Sequence, residues 1–154
     1  VKRVLIAYFS PGGNTKEMAG YIAEGVRFGG NQAVTRKIAE IKKAEELAGY
    51  DGYIFGSPTY SLDVPEPMKK FLLMVKQARL AGKLGGAFGS YTHDVAYKHD
   101  DYAPAIIFNT LRDAGKMEAF ELGPFHLKEE LVATAEGIKA CQDYGKTFSQ
   151  KLAG

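Results

Sequence analysis

Residues 4–9 read Val-Leu-Ile-Ala-Tyr-Phe, an unbroken apolar run that constrains the fold more than any other stretch of the chain. A strand with one wet face alternates apolar and polar side chains. A continuous run needs cover on both faces, which is the condition of a central strand in a parallel sheet. Shorter runs of the same kind recur at Tyr53-Ile54-Phe55-Gly56 and over residues 84–89, the latter thinned by Gly85, Gly86 and Gly89. Segments of helical period lie between them. Met18, Ile22 and Val26 recur at i, i+4 and i+8, with Ala19 and Ala23 on the same stripe and Gly29-Gly30 as the stop. Met68, Phe71, Leu72 and Val75 mark a second helix, opened by Pro65 and Pro67, a residue type tolerated in a first turn. Ala103, Ile107, Leu111 and Ala114 mark a third helix. A closing helix carries Leu131, Ala135, Ile138, Cys141, Phe148 and Leu152 on one stripe, which turns the single cysteine to the core as inert packing.

Residues 33–38, with Arg36 and Lys37, suit an edge strand kept from pairing with other chains, and residues 117–122 suit a fifth strand. Strand and helix alternate throughout, as in a series of βαβ units. The predicted fold class is α/β: a three-layer sandwich with a five-stranded parallel sheet in the order 2-1-3-4-5, helices on both faces, and one domain over residues 1–154.

Composition narrows the setting. With 45% hydrophobic and 25% charged residues the chain has the makings of a packed core. One cysteine excludes a disulfide framework and a cysteine-based zinc or iron–sulfur site, so a reducing compartment, the cytoplasm, is expected. No stretch approaches the ~18 apolar residues of a membrane span, and Val1-Lys2-Arg3-Val4 leads straight into a strand, so neither a membrane segment nor a leader is expected. The net charge of +2 and pI of about 8.5 fall short of a nucleic-acid footprint. Nucleic acid is not an expected partner.

In an open α/β sheet, ligands bind beyond the carboxyl ends of the strands where strand order reverses. Three loops meet that description: Ser10-Pro11-Gly12-Gly13-Asn14-Thr15, then Ser57-Pro58-Thr59-Tyr60-Ser61-Leu62-Asp63, then Ser90-Tyr91-Thr92-His93-Asp94-Val95-Ala96-Tyr97. The first is rich in glycine and hydroxyls immediately before a helix, so its N–H groups and the positive helix end can cradle a phosphate. The plainer reading is that Ser10 and Asn14 cap that helix. The loop is neither a Walker loop, since Lys16 lacks the upstream spacing, nor a dinucleotide loop, since G-x-G-x-x-G is absent. Tyr60, Tyr91 and Tyr97 on the other two loops can sandwich a planar ring. A phosphorylated flat ligand is expected.

On these residues the chain resembles the flavodoxin family, whose members bind flavin mononucleotide (FMN) at this edge of this fold. The family's phosphate loop runs Thr/Ser-x-Thr/Ser-Gly-x-Thr, and the chain matches at Ser10, Gly13 and Thr15 while Gly12 departs. The likeness continues from Tyr50 through Gly56-Ser57-Pro58-Thr59-Tyr60, which is similar to the third strand and second flavin loop of the family. It implies FMN as cofactor, held by Ser10, Pro11, Gly12, Gly13, Asn14 and Thr15 at the phosphate and by Pro58, Thr59, Tyr60, Ser61, Leu62, Ser90, Tyr91, Thr92, His93 and Tyr97 around the ring. Tyr60 would lie against one ring face and Tyr91 or Tyr97 against the other. Family members often carry glycine where this chain has Ser61, and a non-glycine residue at positive φ costs roughly 1–2 kcal/mol.

The implied function is electron transfer between redox partner proteins, with no catalytic side chain. Alternatives are an FMN-dependent NAD(P)H:quinone-type oxidoreductase, using a nicotinamide cofactor or quinone, and a flavin-free interaction module of the same fold. Family members also occur joined to metallo-oxidase domains, and the Gly-Ser-Pro-Thr-Tyr loop is similar to theirs. The family is typically acidic, whereas residues 1–43 here carry eight Lys and Arg against three Glu. Long-range steering would therefore favour a different partner, or a different job. Residues 93–101 hold His93, Asp94, Lys98, His99, Asp100 and Asp101 around Tyr97, at spacings that match no familiar metal site, so no metal is expected there. His93 beside the flavin could affect its protonation. A phosphoacceptor receiver would need acidic residues after the first strand, and a serine hydrolase G-x-S-x-G; the chain has neither.

Overall fold

The computed structural model describes residues 1–60, 63–92 and 102–153. Along them run β1 (Arg3–Tyr8), α1 (Asn14–Phe28), β2 (Gln32–Lys37), β3 (Gly52–Gly56), α2 (Glu66–Gln77), β4 (Leu84–Tyr91), α3 (Ala103–Asp113), β5 (Glu118–Ala119), β6 (Phe125–Lys128) and α4 (Ala135–Ala153), with short 3-10 turns at Ile38–Glu40, Ala44–Leu47 and Glu129–Leu131. The sheet is ordered β2-β1-β3-β4-β5, β6 also pairs with β4, and every pair is parallel. The apolar run of β1 sits where it must, between two neighbours and under helices on both sides, with Val4, Leu5, Ile6 and Ala7 fully buried. β2 forms the edge, and Arg36 on it donates to the Glu40 carbonyl at 3.0 Å.

Adjacent strand residues point to opposite faces, and Gly85 and Gly86 use that rule to locate two helices. A Cβ at Gly86 would lie 2.8 Å from the Tyr144 hydroxyl and 3.3 Å from the Phe148 ring of α4, whereas one at Gly85 would lie 3.4 Å from Leu111 of α3. α4 and α3 therefore cover opposite faces. α1 shares the α4 face so closely that a side chain at Gly25 would overlap the Gln142 carbonyl, and one at Gly145 the Ile22 carbonyl. α2 lies over β3, with Phe71 edge-on to Phe55 at 5.1 Å. No helix among the described residues is long and apolar enough to cross a membrane.

The sheet departs from the expected five strands at its far side. Instead of one strand over residues 117–122, β5 is confined to Glu118–Ala119, and Gly123, at φ +73°, turns the chain by donating to the Phe120 carbonyl. After Pro124 the chain returns to β4 as β6, with Phe125 opposite Phe88 and Lys128 opposite Tyr91. Ala87 pairs with Phe55 of β3 on one side, and on the other it falls opposite the break, where neither β5 nor β6 pairs with it. The Tyr144 hydroxyl fills the gap: it accepts the Ala87 N–H at 3.2 Å and lies 3.0 Å from the Gly123 carbonyl. Two apolar positions also sit elsewhere than expected. Ala114 lies exposed just past α3, and Leu131 is 42% exposed in a 3-10 turn before α4. Cys141 is buried in the core, as its place on the α4 stripe predicts, and desolvation pushes its thiol up to about 12.

Candidate functional site

β1 and β3 end side by side at Tyr8 and Gly56, β4 runs on past Phe88 to Tyr91 in the same direction, and the loops after them form one rim. The first loop is shaped by Gly13, whose φ of +93° belongs to the left-handed region that glycine enters without strain. This bend aims the first amides of α1 outward. The Ser10 hydroxyl accepts the N–H of Gly13 at 3.2 Å and that of Lys16 at 3.0 Å, so it does cap the helix, while Asn14 is its first helical residue. With both lone pairs occupied, the Ser10 proton is left to donate outward. The amides of Asn14 and Thr15 have no acceptor among the described residues. Two open amides, an outward hydroxyl and the positive end of a helix make a cradle for a phosphate ester.

Thr15 is 1% exposed, and its hydroxyl meets that of the equally buried Ser90 at 3.1 Å. The pair ties the first loop to the end of β4. The second loop is tied to the same strand, since Thr59 donates its N–H to the Ser90 carbonyl at 3.1 Å. The Thr59 hydroxyl accepts the N–H of Ala103 at 2.9 Å, so it caps α3. Pro58 is buried beneath, its carbonyl accepting from the Ser57 hydroxyl at 2.9 Å.

Tyr60 stands at the tip of this second loop with 48% of its surface exposed, across a crevice of about 40 Å³ from the Ser10 loop. Its backbone is fixed by reciprocal hydrogen bonds with Asp63, at 3.0 and 2.9 Å. Asp63 is itself anchored by Lys69 Nζ at 2.8 Å and by the Val64 N–H at 2.7 Å, which hold its carboxyl below the usual carboxylate range. A ring seated on Tyr60 would therefore rest on a pinned turn.

The structure thus gathers Ser10, Pro11, Gly12, Asn14, Thr15 and Pro58 with Tyr60 and Ser90 around one crevice. A Cβ at Gly12 or Gly13 would meet nothing within 4 Å, so the space above the loop is open. Tyr91 is placed differently: it is half-buried, its ring 4.9 Å from Tyr102 and 5.5 Å from His126. Thr92 is exposed just beyond β4. Ser61, Leu62, His93 and Tyr97, with the rest of the His- and Asp-bearing segment 93–101, lie outside the described residues.

Two residues of the rim escape the motif reading. His126 is carried in by β6, opposite Gly89, and joins the Tyr91 and Tyr102 rings. Glu129, in the turn that follows, lines the crevice beside the Ser10 loop. The signal for both was the alternating run Phe125-His126-Leu127-Lys128 after Gly123-Pro124.

Comparison with known proteins agrees with this geometry. The chain is 32% identical over 153 residues to diflavin flavoprotein A 3 of Synechocystis sp., a match that covers 97% of this chain and 24% of that protein. It therefore spans about a quarter of the length of this curated relative. Among solved structures, a flavodoxin from the domain Archaea superposes with a TM-score of 0.83 at 24% identity, covering 99% of each chain. The flavodiiron core of Flv1 from Synechocystis sp. superposes at 0.80 with 29% identity over 99% of this chain and 36% of that one. A model of the flavodoxin domain matches residues 5–118, and with the sheet order and the rim of loops described above, the chain belongs to the flavodoxin family.

Proposed function

We propose that this chain binds FMN at the rim and relays electrons between redox partners. The reading is carried by the open amides of Asn14 and Thr15 on a loop already organised by Ser10, facing the exposed Tyr60 ring across one crevice. Phosphate at the amides and a flat ring against Tyr60 match the two ends of FMN. Pro58 and Thr59 hold the second loop in place, and in this reading Ser61 and Leu62 are further ring-binding residues of the same loop. Ser90 lines the crevice, and in this reading Tyr91, Thr92, His93 and Tyr97 belong to the loop that would meet the other side of the ring.

Once bound, the flavin supplies the redox chemistry by taking up and releasing electrons. The chain contributes binding and orientation. Its hydroxyls and amides fix the phosphate end, and the Asp63–Lys69 anchor fixes the turn under the ring. The acceptor would be a redox centre on another domain or another chain, since domains of this family form parts of longer flavoproteins such as the diflavin relative above. The positive excess in residues 1–43 suits an acceptor with an acidic docking face.

Titration of flavin-free protein into FMN, followed by flavin fluorescence, tests the reading. Quenching that saturates at one equivalent with a Kd below roughly 1 μM is expected. Fluorescence unchanged by excess protein would refute it. Rapid bleaching of the bound flavin by NADH or NADPH alone would replace the electron carrier with a nicotinamide-dependent reductase.

A further inference from the structure

Among the described residues around the crevice, one side chain bears a formal charge, and it is an acid, Glu129. β6 delivers it: Lys128 pairs with Tyr91 at the end of β4, so the next residue reaches past the strand ends to the Ser10 loop. The Glu129 side chain is half-buried and makes no hydrogen bond or ion pair with a described residue. Its neighbour Lys128 lies 3.8 Å from Glu130. With no cation among the described residues to neutralise it, this carboxylate shares about 40 Å³ with amides arranged to hold an anion.

The two effects oppose each other. A helix N-terminus presents about half a positive charge, whereas a carboxylate presents a full negative one, and a phosphate monoester near pH 7 carries roughly −1.5 to −2. The space above the loop is open, so solvent screens them in part, and low salt keeps the opposition measurable. We propose that Glu129 is a selectivity residue that weakens the grip of the crevice on the phosphate end of its ligand, and so narrows the preference for FMN over riboflavin, which has the same ring and side chain without the phosphate. This rests on the FMN reading above. Spacing could not have exposed it, because Glu129 lies more than a hundred residues from the loop it faces.

The test compares the wild type with Glu129→Gln, which keeps the shape and removes the charge, and with Glu129→Ala as a second neutral variant. Kd values for FMN and riboflavin are measured at low salt, and thermal melting without ligand checks that folding is unchanged. FMN should bind about tenfold more tightly to both variants, with riboflavin within about twofold of wild type. Equal FMN affinity, weaker FMN binding, or a parallel gain for riboflavin would overturn the proposal. Inorganic phosphate, followed at the Asn14 and Thr15 amides by NMR, separates this inference from the flavin reading. If no form takes up FMN but phosphate saturates these amides at lower concentration in the variants, the role of Glu129 stands and the flavin reading fails. Identical phosphate curves would overturn the role of Glu129.

Discussion

A hydroxyl has one proton and two lone pairs, and at this rim four of them are committed to the chain itself. Ser10 gathers two amides, Thr59 caps α3, and Thr15 and Ser90 satisfy each other in a buried pair. Thr15→Val should leave the Ser90 hydroxyl without a partner and cost about 1–3 kcal/mol in urea unfolding, with part of it recovered in Thr15→Val/Ser90→Ala. A single variant as stable as wild type would show that the pair holds nothing together. The loop residues are legible as a motif, but this pairing is not, since Thr15 and Ser90 are 75 residues apart. Cys141 is legible in full, because its place on the α4 stripe already implies burial. With its thiol pushed up to about 12, it should stay protonated and unreactive to a disulfide reagent at pH 8 until the protein unfolds. The unfolded thiol ionises near pH 8.5, so this contribution to stability is complete below that pH and is lost as the pH rises toward 12. Labelling of the native protein within seconds would contradict the burial.

At the scale of elements, the informative place is the break between β5 and β6. The apolar content of residues 117–122 is right for a strand, and Met117 and Phe120 are indeed buried, but apolar pattern reports burial and not strand pairing. The positive φ at Gly123 and the Pro124 that follows end the pairing and let β6 start again beside β4. That restart brings His126 and Glu129 to the rim, which is why a reading with one unbroken strand missed both. Tyr144 is the compensation, and burial raises its phenol above the ordinary value, so it remains a neutral donor and acceptor. Tyr144→Phe should strand the Ala87 amide and lower stability by about 1–3 kcal/mol. Unchanged unfolding together with unaltered protection of the Ala87 amide in hydrogen exchange would show that the hydroxyl is dispensable. The helices were easier to read, since Met18, Ile22 and Val26 on α1 and Phe71, Leu72 and Val75 on α2 face the core at their expected spacing.

For the whole molecule, one buried run sets the plan. Because β1 must be covered on both sides, it takes the middle of the sheet between β2 and β3, and the strand order then places the loops after β1, β3 and β4 along a single rim. The net charge of +2, an excess of positive charge in the first 43 residues set against a negative remainder, belongs to this scale too, since it acts on encounter with a partner and not on the fold. The account stands most directly on where FMN meets the chain. Amide NMR spectra recorded as FMN is added should show Asn14 and Thr15 shifting to saturation at one equivalent, while Lys83 and Asp51 at the opposite end of the sheet stay in place. Saturation without movement of Asn14 and Thr15, or shifts confined to the opposite end, would contradict it.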